Sequence, residues 1–210
     1  MMKKSIRTRL LGIRNSLSAE EIHSKSRVIA RRLFGIPTFR ETRTVMFYVS
    51  YGSEVDTHQM LKEALRKGLR VAVPLTQRES KRLLSVLIQE PDRDLFPGFK
   101  EIPEPDLKRS VELRPTELDL VIVPGVAFDP IGNRLGMGKA YYDDFLKSIR
   151  PSAVKIGLAF ECQIVEKIPP AYHDVAMDKI ITEKRVIDCT LNKPDSKFRS
   201  VDQIKKQQYS

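Results

Sequence analysis

Between a strongly apolar run and a stretch with helix-forming residues, the chain reads Val123-Pro-Gly-Val-Ala-Phe-Asp-Pro-Ile-Gly-Asn-Arg-Leu-Gly-Met-Gly-Lys-Ala-Tyr-Tyr142. Four of the ten glycines fall here, at 125, 132, 136 and 138. Glycine lets successive backbone N–H groups turn toward one anion. Arg134 and Lys139 add full charges suited to phosphate oxygens. Two chemistries are open to such a segment: a plain glycine-rich turn, or a phosphate cradle leading into a helix whose N-terminus favours anions. The coincidence of strand, loop, two cations and helix favours the cradle. The spacing Gly136-Met137-Gly138-Lys139-Ala140 matches neither a Walker A loop nor G-x-G-x-x-G.

The elements that must position this loop follow from periodicity. Ile6, Leu10, Ile13 and Leu17 repeat as one face of a helix. Ser18 and Glu21 make a capping box, which predicts a second helix to about Phe34, stopped by Gly35 and Pro37. Residues 44–50 (TVMFYVS) read as a buried strand, 57–67 as a helix and 70–74 as the next strand, a βαβ unit. Residues 83–88 are a further apolar run. Five prolines at 91, 97, 103, 105 and 115 predict a long connection with little regular structure. Leu118–Val123 is nearly continuous in apolar residues and is expected to be a central strand. A helix is expected over 140–149, a strand over 155–159 and a final strand pair or bent strand over 180–187. The fold expected is α/β: residues 1–191 as a single domain with a mostly parallel central sheet flanked by helices, an open Rossmann-like sandwich. Residues 192–210 are expected to be a basic, mobile tail.

Composition bounds the function. The 210 residues carry a net charge of +10. Residues 1–14 hold Lys3, Lys4, Arg7, Arg9 and Arg14 without an acid, and residues 193–210 contribute +3, leaving only +2 for the body. A nucleic-acid binder usually spreads a basic stripe over its folded surface. Charge confined to the ends fits a basic helix meeting a polyanionic small ligand better, and makes a nucleic-acid partner the lesser reading. No apolar run approaches the roughly 20 residues of a membrane span. The N-terminus has no apolar stretch behind its basic start, so a secretory signal is not expected. Two cysteines, Cys162 and Cys189, argue against a disulfide scaffold. A soluble, cytoplasmic protein acting as a monomer is the expectation. His173-Asp174 invites a general-base reading, but a loop histidine with a structural hydrogen bond is the preferred one.

The run Phe128-Asp129-Pro130-Ile131-Gly132-Asn133-Arg134-Leu135-Gly136-Met137-Gly138-Lys139-Ala140-Tyr141-Tyr142-Asp143 resembles the signature FD-x-x-G-x-RLG-x-G-x-GYYD of the 5-formyltetrahydrofolate cyclo-ligases. The resemblance extends to about residue 188. It takes in the basic first helix, Glu54-Val55-Asp56-Thr57, Gly157-Leu158-Ala159-Phe160-Glu161 and His173-Asp174 with Asp178 and Ile181-Thr182-Glu183. It implies an enzyme that uses ATP and Mg²⁺ to convert 5-formyltetrahydrofolate into 5,10-methenyltetrahydrofolate, releasing ADP and phosphate. By the same resemblance Lys3, Lys4 and Arg7 belong to the ATP site with Arg134, Leu135, Gly136, Met137, Gly138, Lys139, Ala140, Tyr141 and Tyr142. Arg134 and Lys139 carry the catalytic charge. Val49, Glu54, Met137 and Tyr141 belong to the folate site, and Asp143 and Asp178 are the candidate Mg²⁺ ligands. Glu54 is the sharpest of these, because a pterin presents adjacent N–H donors that one carboxylate can accept. Ala140 stands where the family has glycine, and is expected to sit in the first turn of a helix. The rival to this reading is a related α/β enzyme using the same phosphate loop on a sugar phosphate.

Overall fold

Residues Leu120–Val123 form a strand at the centre of the sheet, and the computed structural model, which describes residues 2–98, 102–107 and 109–192, shows what is laid around it. In chain order the elements are α1 (Met2–Asn15), α2 (Ala19–Gly35), α3 (Pro37–Arg40), β1 (Thr44–Met46), α4 (His58–Arg66), β2 (Arg70–Gln77) and β3 (Arg82–Ile88). Then come α5 (Pro91–Asp94), β4 (Leu95–Pro97), β5 (Pro103–Pro105), β6 (Glu112–Leu113), β7 (Leu120–Val123), β8 (Ala127–Phe128) and β9 (Arg134–Leu135). The last are α6 (Tyr141–Leu146), β10 (Val154–Leu158), β11 (Lys179–Ile181) and β12 (Val186–Asp188). Eight strands form one sheet in the order β12-β11-β10-β7-β1-β2-β3-β6. Its inner strands run parallel, and β12, β3 and β6 pair antiparallel at the margins. All four β7 residues are buried, as a strand covered on both faces requires. The tail expected from 192 onward lies, but for its first residue, outside the described residues.

The capping box of α2 is formed on both sides: Glu21 N–H donates to Ser18 Oγ at 3.1 Å, and Ser18 N–H to a Glu21 carboxylate oxygen at 2.9 Å. Strand β1 is shorter than expected. After Phe47 N–H donates to Ala72 O, side-chain hydroxyls take over from the ladder. Tyr48 Oη donates to Val55 O at 2.9 Å, and Thr57 Oγ1 to Tyr48 O at 2.7 Å. The chain is thereby turned into the loop that bears Glu54. The proline-rich connection is also more regular than its composition suggests. It holds α5, the β4–β5 ribbon, β6 and a 3-10 turn, Pro115–Glu117. Proline is tolerated in ribbons of two edge strands, where an N–H can be spared.

The buried Phe128 ring fixes how β7, β8 and β10 meet. A Cβ on Gly125 or on Gly157 would lie 2.5 Å from ring carbons of Phe128, well inside contact distance. Both backbones can therefore close on the ring only as glycine.

Candidate active site

Beyond the carboxyl ends of β1 and β7, where open α/β sheets bind ligands, lies a cavity of about 410 Å³. Helix α1 forms one side of it. Lys3, Arg7 and Arg14 all line the cavity, and each is tied to another part of the wall. Lys3 Nζ donates to Asp174 Oδ2 at 2.7 Å, Arg7 Nε to Gly136 O at 2.9 Å, and Arg14 Nε to Ser53 Oγ at 3.0 Å. The apolar face of α1 runs through Ile6 and Leu10, but Ile13 is 41% exposed and Arg14 only 8%. Apolar periodicity therefore missed Arg14, whose charge disguises a buried position.

The glycine loop supplies further cations, held differently. Arg134 is almost wholly buried; its Nη2 donates to Asp143 Oδ1 at 2.8 Å and its Nη1 to Pro124 O at 3.3 Å. The guanidinium carbon stands 5.6 Å from the centre of the Tyr142 ring, a cation–π arrangement. Arg134 Nε and the Tyr142 hydroxyl are buried without a hydrogen-bond partner among the described residues. Lys139 differs. It is exposed in the cavity wall and makes no ion pair among the described residues, so its ammonium is open to a ligand.

Ala140 does not sit in a helical first turn. It precedes α6 with φ +56° and ψ +6°, the left-handed region. The signature's glycine would adopt that backbone freely, whereas alanine holds it at a cost of about 1–2 kcal/mol. Helix α6 is also shorter than expected, six residues, and carries Asp143 and Asp144 in its first turn. Two acids in that turn offset the positive end, so the anion-attracting charge comes from α1 and Lys139 instead.

Glu54 lines the cavity together with Tyr142. One carboxylate oxygen accepts Tyr51 N–H at 3.2 Å. Burial pushes the Glu54 carboxyl above its ordinary range, opposed by the Arg14 charge and the Tyr51 N–H. The Tyr142 phenol is pushed up by burial and by Glu54, so it is neutral and a hydrogen-bond donor. Asp174 is partly desolvated, but Lys3, the Ala171 N–H and nearby charge hold it below its ordinary value.

Of the remaining expected site residues, Leu135, Gly136, Met137, Gly138 and Tyr141 all line the cavity, with Met137 67% exposed. Lys4 is exposed and off the cavity wall, and Val49 is packed in the core at 6% exposure. Asp178 is not a wall residue either. Its Oδ2 lies 2.7 Å from Lys155 Nζ and accepts Lys155 N–H at 2.9 Å, a bond that braces β10 against β11. Among the described residues no three His, Cys, Asp or Glu gather as a metal site. Asp143 accepts Arg134 and Val175 N–H through Oδ1, leaving Oδ2 without a protein hydrogen bond among the described residues beside the cavity, as Mg²⁺ held mainly by phosphate oxygens and water would need. His173 stands 3.7 Å from Asp174, beyond hydrogen-bonding distance, and is more than half exposed. No helix among the described residues is long and apolar enough to cross a membrane.

An open α/β sheet with a cation-rich cavity at its strand ends defines an enzyme fold suited to phosphate-bearing ligands. The family model for 5-formyltetrahydrofolate cyclo-ligases matches residues 1–183, and the chain belongs to that family, a family of ligases. The Haemophilus influenzae 5-formyltetrahydrofolate cyclo-ligase is 31% identical over 180 residues, 85% of this chain and 96% of that one. The Escherichia coli K12 enzyme of the same name is 32% identical, over 82% and 96%. The solved 5,10-methenyltetrahydrofolate synthetase of Aquifex aeolicus superposes with a TM-score of 0.80 at 32% identity, covering 93% of this chain and 96% of its own.

Proposed function

We propose that this chain closes 5-formyltetrahydrofolate to 5,10-methenyltetrahydrofolate at the expense of ATP. The observation that carries the reading is one cavity bearing both Glu54, an acid with no ion-pair partner among the described residues, and the cations Lys3, Arg7 and Lys139. A sugar-phosphate enzyme has no need of that acid beside a polyanion clamp.

A formamide oxygen leaves poorly, so N10 cannot close the ring unaided. The formyl oxygen attacks the γ-phosphorus and ADP departs, leaving the formyl carbon as an iminium phosphate on N5. N10 then attacks that carbon, loses its proton, and phosphate leaves with the former formyl oxygen. Such a transfer asks the protein for alignment and charge neutralisation rather than a nucleophile. Lys139 is free to meet the triphosphate, while Lys3 and Arg7 can exchange Asp174 and Gly136 O for its oxygens. Arg134 works from behind, holding Asp143 and Tyr142 in place. Glu54 accepts pterin N–H donors and the neutral Tyr142 hydroxyl donates into the same space. Asp143 is the carboxylate that would hold Mg²⁺, which would supply charge neutralisation on the phosphates.

Mixing the protein with 5-formyltetrahydrofolate, ATP and Mg²⁺ should raise the methenyl absorbance in the near ultraviolet, and ¹⁸O in the formyl group should appear in phosphate. Absorbance that does not depend on ATP, or label left in water, would refute the scheme.

A further inference from the structure

Arg14 has no part in the chemistry above, yet it is an arginine 8% exposed, placed on α1 where an apolar residue would pack. A buried guanidinium is retained only where its hydrogen bonds and partners offset desolvation. Its bonds are specific. Nε donates to Ser53 Oγ at 3.0 Å, and Ser53 Oγ donates onward to Asn15 Oδ1 at 2.5 Å. Nη1 reaches Gly125 O at 3.5 Å. One planar fork thus joins α1, the residue before Glu54, and the first turn after β7.

The charges around Glu54 make that position consequential. The phenols of Tyr48, from the exit of β1, and Tyr142, from α6, are both raised by burial and stay neutral. Asp56 is turned away to the His58 N–H and the Ser50 hydroxyl. Arg134, from β9, is committed to Asp143. Arg14 lines the same cavity as Glu54, bonded to the residue before it, and its charge opposes the desolvation of that carboxyl.

We propose that Arg14 is a positioning residue, whose fork clamps the Ser53–Glu54 turn to the exit of β7 and whose charge favours the carboxylate form of Glu54 for its ligand. The proposal rests on the reading of Glu54 as a pterin acceptor, and its test separates the two. In ligand-free protein labelled with ¹³C-carboxyl glutamate, the Glu54 resonance is assigned through Glu54→Gln and titrated. Arg14→Gln should lower the Glu54 ionisation constant on the order of tenfold, and Arg14→Lys should restore most of it. An unmoved Glu54 titration in Arg14→Gln overturns the proposal, as does an Arg14→Lys protein that titrates like Arg14→Gln. If Arg14→Gln fails to fold, Ser53→Ala removes the hydroxyl that holds the fork and should shift Glu54 in the same direction; no shift there overturns it. In kinetics, Arg14→Gln should raise the folate KM far more than it lowers kcat, with the gap to wild type closing as pH rises. A shifted Glu54 titration with an unchanged folate KM supports the role of Arg14 and refutes the pterin reading of Glu54.

Discussion

The base of the turn at 48–57 is held by neutral hydroxyls, with the Arg14 charge reaching it only at Ser53, whereas the loop at 134–143 is held by charges throughout. In the first, Tyr48, Ser50 and Thr57 exchange hydrogen bonds with one another and with Val55, and Ser26 Oγ accepts Asp56 N–H at 2.9 Å. In the second, Arg7 holds the Gly136 carbonyl, Arg134 holds Asp143, and Ala140 is kept in a left-handed conformation. The difference is one of exchangeability. A phosphate can take over the role of an aspartate or a carbonyl opposite a cation, but no ligand replaces a buried hydroxyl network. One side of the cavity is preset to shape, and the other is preset to trade partners.

Arg134→Ala attacks the charged side hardest. It strands Asp143 without its partner, which should cost about 3 kcal/mol in denaturant unfolding, and it should weaken nucleotide use by about 1.5–3 kcal/mol. Wild-type stability together with a wild-type ATP KM would show that the ion pair is not what shapes the loop.

Glu54→Gln probes the other side. The folate KM should rise roughly ten- to hundredfold, the loss of a charge-assisted pair, while the ATP KM stays put. Stability should behave oppositely. Because burial raises the Glu54 carboxyl above its ordinary value, the folded state binds the proton more tightly than the unfolded chain. Wild-type stability therefore carries a penalty that grows as pH rises from the ordinary carboxylate range to the folded value, and then stays constant. Glu54→Gln should melt no lower than wild type at neutral pH, and a clearly lower melting temperature would contradict a desolvated acid.

Asp178→Asn should cost about 1 kcal/mol of stability through the Lys155 pair and leave the Mg²⁺ concentration for half-maximal rate unchanged. A raised Mg²⁺ requirement would return Asp178 to the metal site. Asp143→Asn should raise that requirement. Smallest of all, Ala140→Gly should stabilise by about 0.5–1 kcal/mol, the relief of left-handed strain less the greater freedom of glycine when unfolded. A loss of stability would mean the methyl group packs usefully.

Local signals survived folding where the responsible groups are neighbours in the chain. The capping box at Ser18 and Glu21 and the apolar run of β7 needed no tertiary information. Arg14 was concealed because its burial depends on Ser53 and Gly125, 39 and 111 residues away. The Lys155 partner of Asp178, a candidate metal ligand by resemblance, was hidden because strand pairing brings the two together from 23 residues apart. Ala140 was misread because helix propensity describes residues inside a helix, and this one stands just before it with its backbone reversed. Val49, expected at the folate by resemblance, packs its side chain in the core, a burial that depends on distant segments.

The Phe128 ring has a consequence for how this scaffold can drift over generations. It fills the room of two absent side chains, at 125 and 157, in segments that are not neighbours in the chain. Enlarging either position demands a smaller residue at 128, and β8, which carries that ring, leads directly into the cationic loop. The three sites can change only in concert, so tolerated variation there should come as compensating pairs: Gly157→Ala harmful alone, and rescued by Phe128→Leu.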